Sequence, residues 1–285
     1  MANKVFKKAI SGILAFTGIF GCVGMFSACE TNYPKVEMKI EFNDVTYTLE
    51  YNLNRKVAPA TVAHFLNLAG NGYYNGLCVH DYTETKMYTG GYNYVDEALE
   101  YVDYYTEILK DKYQKDFPYT VWVDEAKTKP TYTLYGEFPN NKFNVENGRK
   151  KETFGSLTMF YTDKGDIEDK VWTLHPTNEE AYQLNYANNS ATSLFYISLS
   201  TGSSYNSGYC TFAELAEGSV DDLESLQAAI ESYIDDNYDD AEEFTTAVVM
   251  DVDGDDAFVG DHENEMTYQV PNEPITIQTV TVKKY

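Results

Sequence analysis

The stretch VAPATVAHFLNLAGNGYYNGL, residues 57–77, has the pattern of one amphipathic helix followed by a turn. Pro59 stands at a natural first helical position, because the N–H group that proline lacks would have no helical partner there. Gly70 and the Asn-Gly pair after it end the run. The apolar residues between these two signals recur at helical spacing: Val62, Phe65, Leu66 and Ala69. We predict a helix that packs its apolar side against a sheet.

Segments with strand patterns lie on both sides of this helix. Residues 36–51 alternate apolar and polar side chains around a central Asn-Asp, which is typical of a two-stranded hairpin. The last residues, ITIQTVTVKKY at 275–285, also alternate. Five shorter β-like pieces lie between: YTVWV (119–123), TYTLYGEF (131–138), FGSLTMFY (154–161), SLFYISLS (193–200) and YCTFAEL (209–215). The chain is therefore predicted to be mainly β, with two further helical patterns at 94–117 and 221–236.

The order of these blocks resembles that of the cyclophilins, a family of peptidyl-prolyl cis/trans isomerases. The first helix is followed by VHDYTETKMYTGG, residues 79–91, where that family carries its catalytic strand. The resemblance implies a closed antiparallel β-barrel capped by two helices over residues 36–285. Insertions are expected near 94–130, 162–190 and 235–264. We expect residues 94–117 to form an extra helix outside the barrel that is dispensable for folding, and the acidic stretch 235–264 to be solvated.

The resemblance also shows where this sequence departs from the family. The family pattern is Phe-His-Arg, then a Phe-Met pair, then Gln-Gly-Gly, and Asp81 stands at the catalytic Arg position. Val79 replaces the Phe, His80 is kept, and the tryptophan of the proline pocket is missing around Ser204. Because Asp81 stands at the position of the catalytic Arg, we assign no catalytic residue. The positions that the resemblance implies for peptide binding are Lys86, Met87, Thr89, Leu194, Tyr196 and Tyr209.

The substitution at Asp81 bears directly on catalysis. In the family, the Arg donates a hydrogen bond to the twisted amide nitrogen, whereas an ionised carboxylate only accepts. We expect Asp81 to pair with Lys86. Two functions remain open: an isomerase with weak activity that assists the folding of exported proteins, and a non-catalytic module that binds peptide or protein. His80 is interpreted as a structural strand residue, and the Gly90–Gly91 pair as a bend or a close backbone approach.

The first 28 residues have the order of an export signal. Lys4, Lys7 and Lys8 precede an uncharged apolar run, and FSAC, ending at Cys29, resembles a bacterial lipobox. Cys22 is a weaker competitor, and the alternatives are an uncleaved membrane helix and soluble secretion. We expect residues 1–28 to be a lipoprotein signal peptide and residues 29–35 a tether. Lipidated Cys29 would then anchor an extracytoplasmic domain to the bacterial cell membrane, and this lipid would be the domain's only membrane contact.

Composition narrows the set of partners. The net charge of −24 would repel a nucleic acid backbone, so we expect proline-containing peptide segments or exported proteins instead. No cofactor is implied and no metal cluster is visible. Residues 251–263 resemble a calcium loop, but Asp256 and His262 occupy the places of its Gly and its bidentate Glu. Cys78 and Cys210 are expected to be buried free thiols rather than a disulfide.

Overall fold

A computed structural model describes residues 31–96, 98–102, 104, 120–143, 150–161, 170–174, 180–205, 207–251 and 265–285. The predicted signal peptide, both candidate lipidation sites, Cys29 and Cys22, and most of the calcium-loop-like stretch lie outside these ranges. Within them, no helix combines the length and the apolar character needed to cross a membrane. The same ranges contain no cluster of side chains suited to hold a metal ion.

An eight-stranded sheet forms the centre of the described structure. Its strand order is β15-β1-β2-β12-β8-β11-β4-β3, and the paired strands are antiparallel. These strands are β1 (Lys35–Phe42), β2 (Val45–Leu53), β3 (Asp81–Thr83), β4 (Lys86–Thr89), β8 (Leu157–Met159), β11 (Phe195–Ser198), β12 (Thr211–Leu215) and β15 (Thr276–Lys284). The predicted hairpin is confirmed as β1 and β2. Asn43 and Asp44 at its turn have φ values of 48° and 62°, the left-handed pair that a tight hairpin turn requires.

The two edges of this sheet are linked through the residues that precede β3. Val79 donates its N–H to the carbonyl of Ile275 at 2.8 Å, and Gly76 donates to Ile277 at 2.7 Å. Cys78 forms an isolated antiparallel bridge with Thr276 of β15. The sheet therefore curls until β3 and β15 approach each other, as the cyclophilin resemblance implies, and full closure of the barrel stays a prediction.

Two helices pack against the curled sheet in the described part of the chain: α1 (Pro59–Gly70) and α2 (Val220–Asn237). α1 confirms the prediction from residues 57–77, and its side chain Phe65 packs against Phe195 and Phe212 of the sheet. α2 confirms the helical pattern at 221–236. Its buried stripe has the spacing of one helix face: Leu223, Leu226 and Ile230.

The helix predicted over 94–117 is wrong for residues 94–96 and 98–101. A hairpin of β5 (Tyr92–Val95) and β6 (Ala98–Tyr101) lies there, and residues 97, 103 and 105–117 fall outside the described ranges. The apolar residues also satisfy a period of two, because Tyr92 pairs with Tyr101 and Tyr94 with Leu99. Leu99 is buried, so this segment is not the detached addition that helical spacing suggested.

Two further β elements lie in or near the regions predicted to be insertions. A three-stranded sheet contains β7 (Val121–Trp122), β9 (Lys170–Leu174) and β10 (Ala181–Asn185). A separate hairpin joins β13 (Thr245–Asp251) to β14 (Glu265–Pro271). Phe244 beside it is fully buried, so the prediction of a solvated stretch from 235 to 264 is wrong at this residue. Cys78 and Cys210 are both buried and free, as expected.

Candidate active site

The catalytic-strand stretch forms β3 and β4, and their register brings the candidate residues into rows. Asp81 lies opposite Tyr88 on β4, and Tyr88 lies opposite Tyr196 on β11. Lys86 is two residues from Tyr88 and therefore lies on the same face of the sheet. Asp81, Lys86 and Tyr196 thus share one face of the sheet.

The predicted peptide-binding residues divide between the two faces of the sheet. Met87 is fully buried in the main core, and Thr89 donates its hydroxyl to the carbonyl of Cys78 at 2.7 Å. Both therefore have structural roles on the opposite face from Lys86. Leu194 is half-buried and packs beside the hairpin cluster that contains Tyr92. Of the predicted set, the structure brings together Lys86, Tyr196 and Tyr209.

Lys86 lies among three tyrosine rings. Its ammonium is 4.2 Å from the ring centre of Tyr196, 5.8 Å from that of Tyr88 and 6.0 Å from that of Tyr209. All three distances are within the range in which a cation is attracted to the electron-rich face of an aromatic ring. We call this set of rings the tyrosine cage (Tyr88, Tyr196 and Tyr209). The side chain of Lys86, which by the sequence resemblance stands at the family's pocket Phe, is thus surrounded by aromatic rings.

Glu152 supports the tyrosine cage from the side of β11. Its carboxylate accepts a hydrogen bond from the hydroxyl of Tyr196 at 2.9 Å and another from Ser198 at 3.4 Å. The backbone of Glu152 exchanges two hydrogen bonds with Ser204, at 2.9 and 3.1 Å, so the carboxylate is held in place. Burial, together with the nearby Glu152 carboxylate, raises the pKa of Tyr196 above its ordinary value, which keeps the phenol neutral. Sequence reasoning missed Glu152, because no local pattern marks it.

Asp81 has a partner that sequence reasoning did not identify. Its Oδ1 accepts a hydrogen bond from the backbone N–H of Gln269 in β14 at 2.9 Å. Burial raises the pKa of Asp81, and the hydrogen bond from Gln269 partly opposes that shift. In the described part of the chain, Asp81 and Lys86 form no ion pair with each other, so the predicted pairing is wrong. The strand register places Asp81 opposite Tyr88 and Lys86 opposite Thr83, and each charged group has another partner: a backbone amide for Asp81 and aromatic rings for Lys86.

The hairpin β13–β14 packs against the candidate site through aromatic contacts. The ring of His80 lies 4.6 Å from that of Tyr92 and 4.8 Å from that of Tyr268 on β14. The two tyrosine hydroxyls are 3.2 Å apart. Burial lowers the pKa of His80 to about 3, so its imidazole stays neutral at physiological pH. His80 is therefore buried among aromatic rings, as expected for a structural residue.

Gly90 is the point where the backbone turns between β4 and β5. Its φ of +97° is rarely adopted by residues with a side chain, and an added Cβ would lie 2.5 Å from the carbonyl oxygen of Ser193. At Gly91, a Cβ would overlap the side chain of Leu194. The interpretation of this pair as a bend with a close approach is confirmed.

Comparison with known proteins identifies the family of this chain. The family model described as cyclophilin type peptidyl-prolyl cis-trans isomerase/CLD matches residues 37–242. The chain belongs to this cyclophilin family.

Two relatives are provisionally named as peptidyl-prolyl cis-trans isomerases. The protein from Staphylococcus saprophyticus is 37% identical over 68 residues, which cover 21% of this chain and 34% of the relative. The protein from Staphylococcus haemolyticus is 34% identical over 68 residues, which again cover 21% of this chain and 34% of the relative. The match thus spans about a third of the length of either relative.

Solved cyclophilin structures also resemble this chain. A cyclophilin type isomerase from Cryptosporidium parvum gives a TM-score of 0.43 at 14% identity, covering 89% of this chain and 99% of that one. The Mimivirus cyclophilin gives 0.42 at 13% identity, covering 90% and 91%. By the resemblance of the sequence, Asp81 and Lys86 stand at two positions of the family's catalytic pattern.

Proposed function

We propose that this cyclophilin is a peptidyl-prolyl isomerase with a degenerate active site, whose groove holds extended peptide with weak turnover or none. The observation that supports this proposal best is the hydrogen bond from the Gln269 N–H to Asp81. At the position where the family places a donor for the prolyl nitrogen, this chain has an acceptor that is already engaged with its own backbone.

The chemistry of isomerisation requires that donor. Rotation about a peptide bond breaks its partial double-bond character and has a barrier of about 18–20 kcal/mol. A hydrogen bond that forms only in the twisted transition state lowers the barrier without tightening ground-state binding. Hydrogen bonds involving a charged group contribute about 1.5–3 kcal/mol, so losing the donor alone corresponds to roughly one to two orders of magnitude in rate.

The apolar grip on proline is also altered. Lys86 replaces the aromatic pocket wall, and its ammonium lies over the ring of Tyr196. A proline ring that enters this space must displace the ammonium of Lys86 from the ring of Tyr196, and it makes no cation–π contact that would compensate for the loss. Binding of proline should therefore be weaker than in a cyclophilin with an apolar pocket.

A protease-coupled isomerisation assay on residues 30–285 tests the proposal. We expect kcat/KM at least tenfold below that of a cyclophilin with the family's Arg. The double variant Asp81→Arg, Lys86→Phe should exceed wild type, because it restores both the donor and the apolar wall. Asp81→Ala with Lys86→Ala is the matched control, since it removes both charges and supplies neither a donor nor an aromatic wall. Wild-type activity of ordinary size that survives Asp81→Ala and Lys86→Ala would refute the proposal and require another donor.

A non-catalytic binding module is the second candidate. The support for it is that the hydroxyl of Tyr196, which lies buried beneath Lys86, is fixed by Glu152, so the ring is ordered before any peptide arrives. Calorimetric titration with proline-containing peptides separates the two functions. Binding without measurable isomerisation supports the module, whereas turnover that saturates at the same concentration supports the enzyme.

We also propose an extracytoplasmic location, with Cys29 lipidated and exported proteins as the clients of the groove. The support is the order of Lys4, Lys7 and Lys8, the uncharged run and FSAC at residues 26–29. Metabolic labelling with a fatty acid should mark the wild-type protein and not Cys29→Ser, while Cys22→Ser should be labelled normally. Equal labelling of Cys29→Ser and wild type would overturn this assignment.

A further inference from the structure

The tyrosine cage has the composition of a site for an organic cation, although the resemblance assigns this place to proline. Aromatic faces attract ammonium groups, and recognition of such groups by sets of aromatic rings is a recurrent use of this attraction. We propose that the tyrosine cage binds a lysine side chain of the peptide in the groove, and that Lys86 is the resting occupant which that lysine displaces. This inference rests on the proposed function in assuming that peptide enters the groove.

The floor of the cage is fixed. Tyr196 has none of its surface exposed, and its hydroxyl donates to the carboxylate of Glu152 at 2.9 Å. Donation to an anion makes the phenol ring more electron-rich, which strengthens its attraction for a cation. The backbone pairing of Glu152 with Ser204 keeps the carboxylate in this position when the occupant changes.

The occupant, in contrast, is movable. Lys86 is half-buried, begins β4 directly after the exposed turn at Glu84 and Thr85, and carries its charge on a flexible four-carbon stem. Among the described residues, its ammonium has cation–π contacts and forms no ion pair with a carboxylate. Rotation of this side chain into solvent therefore exposes the cage without disturbing the sheet.

Charge decides which peptide side chain replaces Lys86. A lysine from the peptide restores the cation–π contacts that the departing Lys86 gives up, whereas proline and leucine do not. The net charge of −24 also attracts cationic segments over longer range. The selected substrate class is therefore extended peptide with a cationic side chain at the position that faces Tyr196, and lysine is the one that matches the resting occupant.

The experiment uses a small probe and two peptides. Nα-acetyl-lysine methylamide reports on the cage itself, and a lysine peptide is compared with its norleucine counterpart of equal length. Tyrosine ring signals in NMR give the affinities. In Lys86→Ala we expect the lysine probe and the lysine peptide to bind about fivefold more tightly than in wild type, because the resting occupant is gone. Lys86→Arg should behave like wild type, since it keeps a cation in the cage.

Two further variants control for folding and for net charge. Tyr209→Leu in the Lys86→Ala background should reverse the gain, because it removes one ring from the half-exposed edge of the cage. Lys39→Ala removes a lysine from β1, far along the sheet order, and should leave both affinities unchanged. Equal binding of the lysine and norleucine ligands to Lys86→Ala would overturn the inference. Probe binding without binding of any peptide would keep the cage site and refute the peptide groove of the proposed function.

Discussion

Removal of the Asp81 carboxylate should loosen the hairpin β13–β14. The Oδ1 of Asp81 accepts from the N–H of Gln269 at 2.9 Å, which connects β3, at the edge of the large sheet, to β14. The flanking residues Tyr268 and Val270 are buried against the same region. Asp81→Ala leaves those apolar contacts in place and removes only the hydrogen bond, so it isolates the role that the carboxylate has acquired.

The magnitude follows from the exposure of the two partners. A hydrogen bond to a charged group contributes about 1.5–3 kcal/mol, and screening by solvent reduces this where the groups are accessible. Because Asp81 is half-buried and Gln269 is exposed, we expect Asp81→Ala to cost about 1 kcal/mol. Asp81→Asn should cost less, because an amide oxygen still accepts from the Gln269 N–H.

Hydrogen exchange measured residue by residue is the suitable assay. A loss of about 1 kcal/mol in local opening should speed exchange of the Gln269 amide roughly fivefold in Asp81→Ala, while amides of β1 and β2 change less. Glu84→Ala, which removes the same charge from an exposed turn next to β3, is the control. Unchanged exchange at Gln269, or equal effects of Asp81→Ala and Asp81→Asn, would refute the assignment of Asp81 as an anchor for the hairpin.

Three further predictions concern the core. Glu137 accepts from the first N–H groups of α1, those of Ala60 and Thr61, at 2.9 Å each, and burial raises its pKa from 4.5 to about 7. The stability that this group contributes below about pH 4.5 is lost as pH rises through 7, by up to roughly 3 kcal/mol. The free energy of unfolding of wild type should therefore fall between pH 5 and 8. The same slope against pH in Glu137→Gln as in wild type would contradict this. Gly90→Ala should destabilise by about 2 kcal/mol or more in thermal unfolding, whereas Gly70→Ala, where an added Cβ meets nothing within 4 Å, should not. Tyr104→Phe should cost about 1 kcal/mol in denaturant unfolding, because the buried hydroxyl forms a hydrogen bond with His64 at 2.8 Å. Tyr33→Phe at the surface should be neutral, and equal stability of the two variants would place residue 104 outside the core.

Local signals in the sequence predicted the parts of the fold that local physics determines. Pro59 and Gly70 mark the ends of α1, and Asn43 with Asp44 adopts the left-handed turn that joins β1 to β2. Gly90 marked a bend because few other residues tolerate its φ. In each case a residue's own conformational preference, or its spacing from near neighbours, carries the information.

The segment 94–101 was mispredicted because its pattern satisfies two periods. Val95, Leu99 and Val102 have helical spacing, but Tyr94 and Leu99 also face each other across a hairpin whose turn residue Asp96 has φ of 49°. Choosing between the periods requires knowing that Leu99 joins the cluster around Tyr92 and Tyr268, which is tertiary information.

Partners in the candidate site were beyond the reach of the sequence for a related reason. Glu152 lies 44 residues from Tyr196, and Gln269 lies 188 residues from Asp81. The donor in the contact with Asp81 is the backbone N–H of Gln269, which almost any residue would provide, so the sequence does not identify this partner. The expectation that Asp81 and Lys86 pair relied on opposite charge alone, and it failed because their strand register gives each a different neighbour.

These partners imply that the two substitutions in the catalytic pattern are not simple losses. Asp81 anchors the hairpin β13–β14 and Lys86 fills the tyrosine cage, so each side chain now satisfies an interaction within the chain. Asp81→Arg alone would place a cation where the N–H of Gln269 needs an acceptor, and it would leave Lys86 in the pocket. A single reversion should therefore lower the stability of the hairpin without restoring turnover. Only the double variant Asp81→Arg, Lys86→Phe, which changes the donor and the pocket wall together, should raise turnover.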